Sequence, residues 1–266
     1  MARSACLIAA LLALLPAPAA ALEFKNIRSC YGPLGATRAD NKFLPRDLLY
    51  VTYDIEGLRP DEKSGNVLYV TLLEVFSAST KEVIFRKEAP MENNLQLGGN
   101  RIPGDLLLNM GTDKPAGQYV LRMTVQDRVG KETKSFTYNF ELLPPTFGLV
   151  GVQAQAIAFP GNPYVANLGI ADFKLDANKN PKGKIEMKIT DETGKAVAPA
   201  QSNVISKDFL GGADLKKDNL VQMHFAILPN RPGRFQVEIT ATDELASKTS
   251  TVRCPLNVLD LNTLAK

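Results

Sequence analysis

The segment GQYVLRMTVQDRVGKETKSFTYNFEL, residues 117–142, recurs without a gap as GRFQVEITATDELASKTSTVRCPLNV, residues 233–258. Few residues are identical, but apolar residues occupy matching positions throughout both segments. The matched pairs are Tyr119/Phe235, Leu121/Val237, Met123/Ile239, Val125/Ala241, Val129/Leu245, Phe136/Val252, Tyr138/Cys254, Phe140/Leu256 and Leu142/Val258. A gap-free match of this kind indicates that one supersecondary unit has been duplicated.

Within each copy the apolar residues alternate with polar ones. In the second copy, Phe235, Val237, Ile239 and Ala241 share one parity, and Gln236, Glu238, Thr240 and Thr242 share the other. This period of two is typical of a half-buried strand. A second alternating run begins at Val252, so each copy is predicted to be a β-hairpin that begins at Gly117 or Gly233.

The rest of the chain predicts an all-β protein of two tandem Ig-like β-sandwich domains. Each half holds about seven short alternating segments, and no long run at helical spacing follows residue 21. Pro144-Pro145-Thr146 follows the first hairpin, and proline stiffens a linker without donating to a sheet. We therefore expect one domain over residues 22–143 and the other over residues 147–260.

The N-terminus predicts export. Arg3 precedes an apolar run over residues 5–15, and Ala19-Ala20-Ala21 provides a small-residue cleavage site, so residues 1–21 are interpreted as a signal peptide. The alternative is a buried N-terminal helix. No cysteine lies at the cleavage point, as a lipoprotein would need, and no later run is long enough for a membrane span. The expected location is the periplasm or the exterior.

Cleavage would leave two cysteines, Cys30 and Cys254. In an oxidising compartment an even pair favours a disulfide, which here would link the two ends of the processed chain. Cys254 falls on an inward-facing strand position, so the alternative is a buried free thiol.

Several short motifs accompany the hairpin unit. They are Pro45-Arg46-Asp47-Leu48-Leu49-Tyr50, Tyr53-Asp54-Ile55-Glu56-Gly57-Leu58, Leu97-Gly98-Gly99-Asn100-Arg101-Ile102-Pro103 and Pro115-Ala116-Gly117-Gln118-Tyr119. Together they resemble uncharacterised secreted bacterial proteins with Ig-like or fibronectin-like sandwiches. The resemblance implies the fold and an exported protein, and it brings no activity.

Composition narrows the function. Lys and Arg total 31 and Asp and Glu total 28, so a net charge of +3 gives no general attraction to nucleic acid. A single His excludes sites that need two histidines. His224 alternates with apolar residues and is expected on a solvated face without a catalytic partner. Asp176-Ala177-Asn178-Lys179-Asn180-Pro181 begins like a calcium loop but has Pro181 where glycine is required.

Asp127 and Asp243 occupy equivalent positions where a strand enters a turn. Asp at such a position commonly accepts backbone N–H groups two residues on, and calcium held by strand-end carboxylates is the alternative. We predict no catalytic, cofactor-binding or metal-binding residue.

The expected function is therefore that of an exported non-enzymatic binding, adhesion or envelope-associated interaction protein. Its partner would be a protein or glycan, contacted through loops or strand edges, with residues 26–46 and 161–168 as the first segments to consider. An exported carboxylate-dependent hydrolase or its accessory module is the alternative, and a structural spacer is a third reading.

Overall fold

A computed structural model describes residues 21–95, 97–209 and 219–260. The described part of the chain is all-β and contains no helix. Residues 1–20, which hold nearly all of the expected signal peptide, lie outside the described residues, so that peptide stays a prediction. The Leu210-Gly211-Gly212 sequence parallels Leu97-Gly98-Gly99 in the first half and is predicted to be its counterpart. It also lies outside the described residues.

The described residues form sixteen strands, eight in each half, where the sequence predicts about seven. The difference comes from β2 and β10, which are only two residues long and leave no alternation to detect. The first half contains β1 (Glu23–Cys30), β2 (Lys42–Phe43), β3 (Leu48–Glu56), β4 (Asn66–Ser77), β5 (Val83–Asn94), β6 (Arg101–Asn109), β7 (Gly117–Asp127) and β8 (Thr133–Leu142). The second contains β9 (Gly148–Ala154), β10 (Ile157–Ala158), β11 (Tyr164–Ala171), β12 (Gly183–Asp191), β13 (Gln201–Ile205), β14 (Leu220–Ile227), β15 (Gly233–Asp243) and β16 (Lys248–Val258).

Each half is a sandwich of one three-stranded and one five-stranded sheet. The sheet orders are β1-β3-β6 and β2-β8-β7-β4-β5 in the first half, and β14-β11-β9 and β10-β16-β15-β12-β13 in the second. The two halves share one topology, including the short strand that pairs in parallel with the last strand. The prediction of two tandem sandwiches is confirmed, whereas the exact domain limits stay a prediction.

The predicted hairpins are the centre of each five-stranded sheet. β7 pairs with β8 and β15 with β16, and the strands begin at Gly117 and Gly233 as expected. The apolar positions of the repeat face inward: Leu121, Val125 and Ile239 are fully buried. Each half has its own core, because the buried side chains form two separate clusters, one for each sandwich.

The two equivalent aspartates close the same turn in both sandwiches. Asp127 accepts the N–H of Val129 at 2.8 Å, and Asp243 accepts that of Leu245 at 3.0 Å, which confirms the prediction of a bond two residues on. The second oxygen of each carboxylate accepts a distant backbone N–H. These donors are Arg59 at 2.9 Å and Lys174 at 2.7 Å, in the loop between the third and fourth strands of each sandwich. Both carboxylates are buried, so each one ties two loops together at the end of its sandwich.

Replacing Asp243 by Ala should destabilise the protein strongly. The substitution leaves the N–H groups of Lys174, Leu245 and Ala246 without their acceptor in a buried turn. We expect a loss of about 2–4 kcal/mol in the free energy of unfolding, measured by urea denaturation of the processed chain, residues 22–266.

Asp191→Ala is the matched control. Asp191 accepts backbone N–H groups from Thr193 and Lys195 in the same manner, but in an exposed turn. Its removal should cost about 1 kcal/mol or less, because water replaces the lost acceptor. Equal losses of unfolding free energy in the two variants would contradict the proposed role of the buried Asp243 carboxylate in holding the two loops together.

Candidate functional site

The loop between β1 and β2, residues 31–41, joins the two sandwiches. Ala154 donates its backbone N–H to the carbonyl of Tyr31 at 3.0 Å, and Ala156 donates to that of Leu34 at 2.9 Å. The Tyr31 side chain packs against the core of the second sandwich. The first half of the chain thus supplies both backbone acceptors and an aromatic side chain to the second.

A buried ion pair lies beneath this loop. Asp47 is 2% exposed, and its carboxylate accepts the Arg38 guanidinium at 2.9 Å. Its other oxygen accepts two backbone N–H groups at 2.8 Å, from Leu48 in the same sandwich and from Gly151 in the next. Arg38 also lies over the ring of Phe43, 4.1 Å from the centroid. One carboxylate therefore connects the loop, β3 and β9.

The junction favours charged Arg38 and neutral Tyr31. Burial opposes the arginine charge, but the carboxylates of Asp47 and Asp40 outweigh it and raise the pKa of Arg38 above its ordinary value. Burial raises the pKa of Tyr31 to about 12, although Arg38 acts in the opposite direction. Arg38 therefore stays protonated near neutral pH and remains the cationic partner of Asp47.

Three clefts follow one another across this junction. The first, about 670 Å³, lies on the outer face of β1-β3-β6 and reaches Pro33. The second, about 320 Å³, shares Pro33 with the first and extends to Gln153 and Asn167. The third, about 480 Å³, shares Gln153 and Asn167 with the second and crosses to Asn109 and Thr112. We name this continuous depression the junction groove.

Uncharged polar side chains dominate the part of the junction groove on the second sandwich. Asn167 on β11 lies in register with Gln153 on β9 and with His224 on β14, so these three form one row across the outer face. Gln222 follows two residues before His224 on the same face. All four side chains are exposed, and Gln153, Asn167 and Gln222 have no hydrogen-bond partner for their carboxamides among the described residues. The prediction that His224 faces solvent is confirmed.

Two glycines form the floor of the third cleft. A Cβ atom at Gly169 would lie 2.8 Å from a methyl group of Leu220, so a larger residue there would require the Leu220 side chain to move. Gly151 has a φ of 59°, a conformation that side-chain-bearing residues rarely adopt. Because neither residue projects a side chain, the groove is open to a ligand beside the carboxamides of Gln153, Asn167 and Gln222.

The cleft of the first sandwich is charged. Arg28 on β1 donates its Nε–H to the Thr52 hydroxyl at 3.2 Å, and no carboxylate contacts its guanidinium within the described part of the chain. Asp54 and Asp105 lie on the neighbouring strands β3 and β6, at diagonal positions of the register. Asp54 is bonded to the Asn26 amide at 2.6 Å, and Asp105 forms a hydrogen bond with the hydroxyl of Tyr50.

The two segments singled out in the sequence both reach this region. Residues 26–28 line the first cleft, while residues 31–47 provide the contacts between the sandwiches. In the second segment, Pro163, Val165 and Asn167 line the second cleft. Sequence reasoning missed Asp54, Asp105, Gln153 and Gln222, although their alternation with apolar neighbours marks each as outward-facing.

The other candidate residues lie apart from the junction groove. Asp176 accepts backbone N–H groups from Asn178 and Asn180 at 2.8 Å in an exposed turn. Within residues 21–95, 97–209 and 219–260, no three His, Cys, Asp or Glu side chains are grouped as metal ligands. Across the same ranges, no helix is long and apolar enough to cross a bilayer.

Both cysteines are buried free thiols in the structure. Cys30 lies at the end of β1, with its sulfur 3.7 Å from the Thr52 hydroxyl. Cys254 faces the core of the second sandwich, where burial raises its pKa to about 12 despite the opposing effect of Arg38. This arrangement corresponds to the buried-thiol alternative, and a Cys30–Cys254 disulfide stays a prediction.

Comparison with known proteins finds likeness in structure alone. No protein-family model matches the chain, and no curated protein matches its sequence. The C-terminal domain of the Streptococcus pyogenes antigen I/II-family protein AspA is 10% identical, with a TM-score of 0.34 over 89% of this chain and 99% of that one. The C-terminal domain of the Streptococcus agalactiae antigen I/II polypeptide BspA is 9% identical, with a TM-score of 0.31 over 87% of this chain and 99% of that one.

A red sea bream transglutaminase also matches, at 10% identity and a TM-score of 0.28. The match covers 92% of this chain but only 32% of that enzyme. Likeness at these scores carries no argument about activity, so the function has to be argued from the chain's own groove.

Replacing Asp47 by Ala should uncouple the two sandwiches. It leaves the buried Arg38 guanidinium and the Gly151 N–H without their acceptor, at a cost of about 3–5 kcal/mol. Calorimetry of the processed chain should change from one cooperative transition to two. Asp172→Asn is the control, because the Arg46–Asp172 pair also joins the halves but is partly exposed on both sides. It should cost no more than about 1 kcal/mol, and a similar effect of both variants would contradict the central role of Asp47.

The thiols should be unreactive in the folded protein. At pH 8 the Cys254 thiol, with a pKa of about 12, is almost entirely protonated, and the Cys30 thiol is protected by burial. We expect negligible reaction with a thiol-specific chromogenic disulfide under native conditions. In denaturant without reductant, both thiols should react at once. Failure of either thiol to react in denaturant, reversed by reductant, would instead establish the Cys30–Cys254 disulfide.

Proposed function

We propose that this protein is an exported, non-enzymatic binding or adhesion module that holds a glycan chain in the junction groove. The observation that carries the proposal is the row of Gln153, Asn167 and His224, with Gln222 beside it, across the exposed outer face of β9-β11-β14. Of these, Gln153, Asn167 and Gln222 line the junction groove beside Gly151 and Gly169, and the groove adjoins the cleft of the first sandwich at Pro33.

The chemistry of the groove suits a hydroxyl-rich polymer. A carboxamide offers two donors and an acceptor, which matches the paired donor and acceptor character of sugar hydroxyls. The three adjoining clefts of the groove reach from β1-β3-β6 of the first sandwich to β9-β11-β14 of the second, a span that suits a polymer better than a compact ligand. The second cleft adds the ring of Tyr31 and Pro163 as apolar surface against which a sugar face can pack.

The contacts between the two sandwiches fix the distance between the two ends of the groove. Its two ends belong to different sandwiches, so a ligand that spans it needs them at a fixed distance. The Asp47 contacts and the backbone bonds of the 31–41 loop supply that constraint before the ligand arrives. Pre-organisation lowers the entropic cost of binding, which matters for a site built from weak neutral hydrogen bonds.

A second candidate function is favoured by the two carboxylates of the first cleft. Asp54 and Asp105 are diagonal neighbours on adjacent strands and both line the first cleft, and a glycosidase needs two carboxyl groups that flank one bond. Asp54 and Asp105 are therefore the residues that a carboxylate-dependent hydrolase would use. Release of reducing ends from a bound glycan, abolished in both Asp54→Asn and Asp105→Asn, would establish this function.

The binding proposal predicts that groove carboxamides contribute to affinity. The processed chain would be titrated calorimetrically with a panel of soluble neutral polysaccharides, including dextran, mannan and galactan. For the polymer that binds, Asn167→Ala and Gln153→Ala should each weaken binding by roughly 10-fold, the equivalent of about 1.4 kcal/mol. Gln126→Ala, which removes an exposed carboxamide from the five-stranded face of the first sandwich, should leave binding unchanged.

Binding that is insensitive to both groove substitutions would contradict the site. Absence of binding to every polysaccharide, together with capture of a protein ligand, would favour the protein partner that the sequence left open.

A further inference from the structure

The repeat provides an internal comparison of two equivalent sheet faces. Asp127 pairs with Tyr69 across β7 and β4, and its counterpart Asp243 pairs with Gly183 across β15 and β12. The registers therefore align Glu74 with Lys188 and Arg122 with Glu238. Every outward-facing position of one five-stranded sheet can thus be compared with its counterpart in the other.

The outward positions of the two sheets differ in character. On β4 and β7 the first sandwich has Val70, Leu72, Phe76 and Val120, at the positions where β12 and β15 of the second have Lys184, Glu186, Thr190 and Gln236. In the second sandwich, β12 and β15 pair in the same way as β4 and β7 although these four positions hold polar residues. Folding therefore does not require the apolar residues of the first sandwich. In the folded chain Val70 is buried, and Leu72, Phe76 and Val120 are half-buried. We name these four residues, together with Glu74 and Arg122, the β4–β7 face.

The charge at the centre of the β4–β7 face is already neutralised. Glu74 is only 5% exposed, and its carboxylate contacts Arg122 at 2.8 Å and Arg86 at 3.5 Å. Arg122 in turn lies over the Phe76 ring, 4.6 Å from its centroid. Covering this face would leave no unpaired carboxylate, which removes the main electrostatic obstacle to burying it.

We propose that the β4–β7 face binds the same face of a second copy of this chain, forming a two-fold symmetric dimer. The register makes the face complementary to itself. Phe76 lies beside Val120 and Glu74 beside Arg122, each pair in one row across the two central strands. A two-fold axis that runs along the strands between β4 and β7 exchanges the members of each row. It therefore places Phe76 of one copy over Val120 of the other, and Glu74 of one over Arg122 of the other.

The area of the face agrees with a reversible dimer. Five strands at a spacing of about 4.8 Å, which average about nine residues at roughly 3.3 Å per residue although β2 has only two, cover roughly 700 Å². A standard stable interface buries about 800 Å² on each partner, so this one falls near the lower end. Its two central strands carry the four apolar residues around the paired Glu74 and Arg122, and the outward residues toward β5 and β8 are mostly polar, as at an interface rim. We expect a dissociation constant in the micromolar range. The junction groove lies on the three-stranded sheets, so the dimer would leave it open on both copies.

Sedimentation equilibrium of the processed chain from about 1 to about 500 μM tests this proposal. The wild-type chain should pass from monomer to dimer within that range. The variant Val70→Lys, Leu72→Glu, Phe76→Thr and Val120→Gln transfers the residues of the second sandwich onto the first. It should remain monomeric, with a dissociation constant raised at least roughly 30-fold. Leu72→Glu alone is the second variant, in case the fourfold change impairs folding, and should weaken the dimer at least roughly 10-fold.

Lys184→Glu is the matched control, because it introduces the same residue as Leu72→Glu but at the counterpart of Val70 on the second sandwich, outside the proposed interface. It should leave the dimer unchanged. A wild-type chain that stays monomeric throughout the range would overturn the proposal. A dimer that persists in both Leu72→Glu and the folded fourfold variant would overturn it as well. Neither result bears on glycan binding, since the two surfaces belong to different sheets.

Discussion

One buried carboxylate organises the relation between the two sandwiches. Asp47 receives Arg38 from the 31–41 loop, the Leu48 N–H from its own strand and the Gly151 N–H from the second sandwich. A buried charge is tolerated only when all of its lone pairs are engaged, and here the donors come from three separate parts of the chain. The position of β9, and with it the whole second sandwich, is therefore coupled to the start of β3. The junction groove depends on this coupling because its residues come from both sides.

Much of the fold is encoded locally and can be predicted from the sequence. The hairpins β7–β8 and β15–β16 follow from strict alternation of apolar and polar residues along each strand. The same alternation recurs in both halves of the chain, which shows that it is not accidental. The role of Asp127 and Asp243 also follows from local rules, because an aspartate at a strand end has a limited choice of nearby donors. The two-residue strands β2 and β10 were not predictable, since their pairing depends on the last strand of the sheet, about a hundred residues away.

The junction groove could be predicted only in part. Residues 26–46 and 161–168 stood out because they do not match between the repeats, and both segments contribute to the groove or its support. The row of Gln153, Asn167 and His224 was hidden because its members come from three strands whose register is fixed only in the folded sheet. The same holds for Asp47, which is an unremarkable aspartate in the sequence until Gly151 is brought to it. The repeats diverge at the junction, along the groove and on the β4–β7 face, which are the regions where we propose contacts beyond each single sandwich.

The central claim is that the two sandwiches form one rigid unit across the Asp47 junction, and the orientation of the halves in solution tests it most directly. Residual dipolar couplings of the weakly aligned, isotopically labelled processed chain report the orientation of each sandwich separately. The account predicts that both sandwiches yield the same alignment tensor, in magnitude and direction, without any ligand. Clearly different tensors for the strands of residues 22–143 and 147–260 would show that the halves reorient independently, and would contradict a preformed groove.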